Sequence, residues 1–223
     1  MWYKLKRILI YPDGVTEKQV YPNVINKSID LRWKTLAQIQ AEWFDIMSWN
    51  GSYVLNSNWL CTDGTINNGI SLYYNLWTTL KSTNIIKVKA TWYIWGGSNL
   101  KWYVFIGTAY EARAWWTKNW TWLQYTSWTS SSGWQTRPYT NTTALGTAWG
   151  NWTTGNVNME FTLDLNTWNY TGKITSPVTY NTSGTLTASQ ITNILTYQYI
   201  SFVIVSYEVN LTNMLYTVEF TVE

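Results

Sequence analysis

The chain has 223 residues, among them 18 Trp and 17 Tyr but no His, and only 12% of it is charged, about half the share usual in a soluble domain. The missing imidazole excludes Ser-His-Asp and Cys-His catalysis and the common Cys/His zinc sites, and the single Cys61 excludes an intramolecular disulfide framework. The net charge of +3 is laid out as seven basic against three acidic residues in 1–40 and seven against one in 81–137, too dilute for a nucleic-acid footprint.

Residues 3–11 (YKLKRILIY) predict a strand, Pro12-Asp13-Gly14 a turn and residues 17–21 a return strand, so the chain opens on a β-hairpin. An isolated hairpin is marginal in water. This one reads as an assembly arm, residues 1–34, whose Tyr3, Leu5, Ile8 and Ile10 contact a neighbouring subunit. Its deletion is expected to abolish assembly while the remainder still folds. Residues 35–48 predict a short helical linker, because Leu36, Ile39, Trp43 and Ile46/Met47 recur at spacings of three and four behind Thr35 as cap.

Residues 49–223 predict one jelly-roll domain. Strands are expected at 69–77, 84–95, 101–107, 111–117, 120–127, 157–165, 168–175 and 199–207. In 84–95, Ile86, Val88, Ala90, Trp92 and Ile94 share one face; Lys87, Lys89, Thr91, Tyr93 and Trp95 share the other. Gly96-Gly97-Ser98 reads as a turn into 101–107. Residues 126–156, rich in Trp, Thr, Ser, Gly and Asn, read as long loops, and 187–195 as a short helix or polar crossover. At the C-terminus Met214, Tyr216, Val218, Phe220 and Val222 alternate with Leu215, Thr217, Glu219, Thr221 and Glu223. Many short alternating strands divided by turn signals predict an all-β, antiparallel β-sandwich or jelly roll.

Ile8-Leu9-Ile10 is too short for the apolar core of a signal peptide, and nothing approaches the roughly 20 apolar residues of a membrane span. Low charge with abundant Asn and Thr suits a surface-exposed or particle-bound protein. Buried, small and apolar is the expectation for Cys61.

Two carboxyl groups about 5–9.5 Å apart would suit a glycosidase, but Glu160 and Asp164 lie four strand residues, about 13 Å, apart. Asp164 in LDLNTWNYTG reads instead as a strand-end residue at a hairpin, and Glu111 with Arg113 as a surface ion pair. Asp63-Gly64 with Asn67-Asn68 offers oxygens that calcium accepts, though the stretch reads first as a plain turn. No phosphate-binding loop is present. The chain is therefore expected to have no catalytic residues, no bound metal and no cofactor.

A binding face is the remaining chemistry. Eleven of the 18 Trp fall between 92 and 152. If the even-numbered residues of 84–116 pack inward, Tyr93, Trp95, Tyr103 and Trp115 point outward from neighbouring strands, with Trp128 in a loop beside them. Aromatic rings among Asn, Thr and Arg donors suit a subunit interface first and a glycan second.

The opening YKLKRILIYPDGVTEKQVYP resembles the β-hairpin leaders of phage virion and tail-fibre-type proteins. FTLDLNTWNYTGKITSP, YISFVIVSYEVN and LYTVEFTVE are similar to the hairpin and closing strands of concanavalin-like (laminin-G-like) jelly rolls. The resemblance implies a non-enzymatic structural or adhesive component of a virus particle, located on the virion, with a homo-oligomer or other virion proteins as partners. The residues leave two alternatives open: a carbohydrate-binding module with an aromatic platform, and a subunit of an extracellular filament or surface layer.

Overall fold

The computed structural model describes residues 10–11, 14–15, 24–65, 67–94, 100–108, 122–130, 133–140, 143–144, 155–176, 179–206 and 214–223. Two minimal strands, β1 (Ile10–Tyr11) and β2 (Gly14–Val15), pair antiparallel. They are followed by β3 (Ile25–Asp30), α1 (Leu36–Ala41), β4 (Phe44–Trp49), β5 (Tyr53–Leu55), β6 (Leu60–Thr62), β7 (Asn68–Asn75) and β8 (Ile85–Ile94). Next come β9 (Leu100–Gly107), β10 (Trp122–Ser130), β11 (Gly133–Thr140), β12 (Thr143–Ala144), β13 (Gly155–Asp164) and β14 (Asn169–Ser176). The last elements are β15 (Tyr180–Thr185), α2 (Ala188–Ile194), β16 (Tyr199–Ser206) and β17 (Met214–Val222).

Two antiparallel sheets form the sandwich. A seven-stranded sheet runs β12-β11-β10-β9-β16-β7-β4, and an eight-stranded sheet runs β15-β14-β13-β8-β17-β6-β5 with β3 also paired to β17. The expected all-β sandwich is the observed fold. Alternation along the strands explains it: Ile86, Val88, Ala90 and Trp92 of β8 are buried, while Lys87 and Lys89 between them are exposed. Facing them across the core are Ile70, Leu72, Ile200, Phe202 and Ile204 of the other sheet. Phe220 of β17 meets Phe44 and Tyr74 edge-on, at 5.9 and 5.1 Å between centroids, and so locks the sheets together. Gly69 in β7 allows close packing with β4, since a Cβ there would lie 2.0 Å from the Trp49 ring.

Several expectations are corrected. Residues 25–30, placed in the arm, are a sandwich strand: β3 pairs with β17 from Ile25–Val222 to Asp30–Thr217. The helical linker expected over 35–48 stops at Ala41, and Phe44–Trp49 is strand β4, paired with β7. The sandwich therefore begins well before residue 49. Thr35 does cap the helix, in a reciprocal pair with Gln38. Thr187 and Gln190 repeat that pair at α2, which occupies the predicted 187–195 window.

In β17 the register shifts between Leu215 and Thr217, so Leu215 is buried and Met214 and Tyr216 only half-buried, the reverse of strict alternation. One extra residue in a strand flips the faces on either side of it. Part of 126–156, read as loop, is strand β10, β11 and β12; Trp, Thr and Tyr favour extended backbone over the Gly and Ser among them. The expected strands at 17–21 and 111–117, and arm residues Tyr3, Leu5 and Ile8, lie outside the described residues, as does the Glu111–Arg113 pair. Ile10 is in β1.

Candidate functional site

Along the outward face of the seven-stranded sheet, Ser71, Ser201 and Val203 are buried. Toward the ends of β4, β7 and β16 the same face opens into a cleft of about 390 Å³. Strand register builds it: Asp45 lies opposite Tyr73, and Asn75 opposite Tyr199. Tyr73 and Tyr199 meet edge-on at 6.4 Å. Trp43 and Trp77 stand at the rim, edge-on to each other at 6.3 Å and 52% and 51% exposed.

Both rim tryptophans sit on left-handed backbone, with φ of 68° and 61°. Bulky L-residues rarely adopt it, because Cβ crowds the following carbonyl. Trp43 follows the C-cap Glu42 of α1, the position where helices commonly carry glycine, and its N–H donates to the Gln40 carbonyl at 2.9 Å. At Trp77 the N–H donates to Asn75 Oδ1 at 2.8 Å, closing an Asx turn that ends β7. Two local devices thus turn the chain so that two indoles meet.

The polar groups of the cleft are ordered by one another. Asp45 Oδ1 accepts from Gln40 Nε2 at 3.1 Å and from the Ile46 N–H at 2.8 Å, and Oδ2 accepts from the Tyr73 hydroxyl at 3.2 Å. Asn75 Nδ2 donates to the Tyr199 hydroxyl at 3.4 Å. Among the described lining residues Asp45 is the one carboxyl, and none of them is Lys or Arg. Two aromatic pairs and a fixed set of amide, hydroxyl and carboxylate groups suit a ligand with both an apolar face and hydroxyls.

A second groove, about 350 Å³, crosses the outer face of the eight-stranded sheet among Ser28, Lys89, Thr91, Asn158, Glu160 and Glu219. Its Lys89–Glu219 pair spans 4.0 Å and is solvent-exposed, and no aromatic ring is among its described lining residues.

The platform inferred from sequence is not assembled as expected. Tyr93 is half-buried in β8 of the eight-stranded sheet, paired to Asn156 and Met214. Tyr103, in β9, and Trp128, in β10, belong to the seven-stranded sheet, paired to Val203 and Gln135 respectively. The expected turn at 96–98 lies outside the described residues, and β8 and β9 on either side of it lie in opposite sheets. Trp95 and Trp115 lie outside the described residues. Trp43, Asp45, Tyr73, Trp77 and Tyr199 went unrecognised; the available signal was Asn75-Leu76-Trp77, an Asx-turn pattern with an indole at the corner.

Asp63 forms a turn. Its carboxylate accepts from the N–H groups of Ser52 at 2.8 Å and Thr65 at 3.0 Å and from Asn68 Nδ2 at 2.6 Å. No group of three or more Cys, Asp or Glu suited to a metal occurs among the described residues. These donors, Ser52 first, hold Asp63 down to about 2 from 3.8. The stabilisation it gives is present above about pH 4 and is lost as pH falls toward about 2. Urea midpoints followed across that window should fall more steeply for the native chain than for Asp63→Asn. Superimposable acid limbs would show that Asp63 has no part in acid stability. Cys61 is a buried thiol outside any disulfide, and Asp164 accepts from the N–H groups of Asn166 and Thr167 in the β13–β14 turn.

No family model and no curated protein matches the sequence. Solved structures do match the fold. A seed lectin of Lotus tetragonolobus superposes with a TM-score of 0.66 at 10% identity, covering 89% of this chain and 98% of that one. Lectin I of Ulex europaeus, in complex with the methyl glycoside of α-L-fucose, gives 0.64 at 9%, covering 90% and 98%. Arcelin-5, a lectin-like defence protein of Phaseolus vulgaris, gives 0.66 at 8%, covering 91% and 99%. The chain thus has a legume-lectin-like β-sandwich fold.

Proposed function

We propose that this chain is a non-enzymatic carbohydrate-binding module whose site is the cleft between Trp43, Trp77, Tyr73, Tyr199 and Asp45. The observation that carries the reading is the meeting of two half-exposed tryptophans on left-handed backbone. Strained residues cluster at functional sites; Trp33 and Trp168 share the left-handed backbone, but Trp43 and Trp77 are the two that meet over this cleft. An indole face stacks on the C–H face of a pyranose, while Gln40, Asn75, Asp45 and the tyrosine hydroxyls meet its hydroxyls. The neighbouring fold in Ulex europaeus lectin I, captured with a methyl fucoside, supports the ligand class. A single carboxyl among the described lining residues supports binding over glycoside hydrolysis, which uses two.

The virion and filament readings rest on composition and on the leader, and the comparisons add no support for them. Display on a cell or particle surface remains compatible with a glycan-binding role.

Isothermal calorimetry against a panel of neutral mono- and oligosaccharides tests the proposal; with 18 tryptophans in the chain, fluorescence dilutes the signal of two. At least one sugar should bind with a Kd of roughly 10 µM to 1 mM, about 4–7 kcal/mol. Trp43→Ala or Trp77→Ala should each weaken it about tenfold or more. Flat titrations with neutral and charged sugars alike, or undiminished binding by both variants, would sink the reading.

A further inference from the structure

Resting on the cleft being a saccharide site, we infer that it selects sugars carrying an ammonium group over their neutral N-acetylated and acidic counterparts. The charge layout carries this. Asp45 supplies the one formal charge of the described lining, and no described Lys or Arg pairs with it. The nearest carboxyl in sequence, Glu42, lies 4.0 Å from Lys27, but Glu42 does not line the cleft.

Asp45 is also held in place. Gln40 Nε2 and the Ile46 N–H fix Oδ1, and the Tyr73 hydroxyl fixes Oδ2 from one side. A carboxylate has about four lone-pair sites, so three accepted bonds leave capacity for one more donor. Indole and phenol faces carry negative quadrupole potential, so Trp43, Trp77, Tyr73 and Tyr199 add attraction for a cation and repel an anion. An N-acetyl group removes the positive charge while keeping an N–H. A uronic acid brings a second negative charge beside Asp45.

Long-range electrostatics predicts the opposite order. The whole chain carries +3, so its overall field attracts acidic sugars and repels amino sugars. Near physiological salt that field is screened beyond about 8 Å, and contact within the cleft decides. The sign of the preference is therefore diagnostic.

The test is calorimetry of the full chain with gluco-, galacto- and manno-configured sugars, each as amine, N-acetyl derivative and uronic acid. At about pH 6 an amine titrating near an α-amino group is charged. In whichever series binds, the amine should be about fivefold tighter than the N-acetyl form, and the uronic acid weakest. In Asp45→Asn the amine-to-acetyl ratio should fall most of the way toward one, the aromatic rings keeping a small remainder. In Trp77→Ala all affinities should fall, with the amine-to-acetyl ratio only partly reduced because Asp45 remains. Thermal melts of both variants show that they are folded. Neutral binding without an amine preference, or a ratio unchanged in Asp45→Asn, overturns the inference and leaves the carbohydrate reading standing. Absence of binding by every sugar of every charge overturns both.

Discussion

A chain lacking residues 1–34 fails to fold cooperatively, whereas one beginning at residue 24 folds. The difference is β3. Its residues pair with β17 over six positions, and Ile25, Ile29 and the following Leu31 are 9%, 3% and 0% exposed within the core. Each buried aliphatic side chain contributes about 1.5–3 kcal/mol, so three removed together cost roughly 5–9 kcal/mol. A domain has about 5–15 kcal/mol in total. The Asp30–Arg32 ion pair lost with them is solvent-exposed and adds little. Truncation also bares the β17 edge, inviting aggregation. Near-ultraviolet circular dichroism and urea unfolding compare the two truncations. A sharp transition with an undiminished m value for the chain starting at residue 35 would show that β3 is dispensable.

This strand was hard to read in the sequence because INKSID offers only two apolar positions, Ile25 and Ile29, four residues apart. Strand alternation was legible where it was long. β8 and β13 each bury every second residue over much of their length, because both faces see consistent surroundings. Strand partners were not legible. Antiparallel strands adjacent in sequence usually pair, and Gly96-Gly97-Ser98 has the composition of a hairpin turn, yet β8 and β9 lie in different sheets. That assignment separates Tyr93 and Tyr103 of the expected platform, while Trp95 and Trp115 lie outside the described residues. At 36–47 two periods overlap: Leu36, Ile39 and Trp43 fit a helix, while Phe44 and Ile46 fit a strand. Left-handed Trp43 separates them, and residue type gives no warning, since tryptophan is uncommon there. The cleft escaped notice for a topological reason. Its residues come from 40–45, 73–77 and 199, joined only by the pairing of β4 and β16 with β7.

Replacing Trp43 and Trp77 together by Asn abolishes measurable sugar binding while leaving folding stability nearly unchanged. Two opposing terms set the stability. Each indole is about half-buried, so truncation forfeits roughly 2 kcal/mol of apolar contact. Asn tolerates left-handed backbone and recovers about 1–2 kcal/mol of the steric cost that Trp meets there. The net change at each site is within about 1 kcal/mol. Alanine removes the same contact without the recovery, so Trp43→Ala and Trp77→Ala should be less stable than the Asn variants by about 1 kcal/mol. Binding has no such compensation. Loss of two stacking surfaces at about tenfold each predicts a fall of at least about 100-fold, modified by coupling because the two rings touch. Calorimetric titration paired with urea unfolding reads both quantities on the same samples. Tryptophans retained for packing would give Asn variants that lose stability in proportion to buried area and bind as before. Tryptophans retained for a ligand separate the two effects, because strain tolerated in the free protein serves only the bound state.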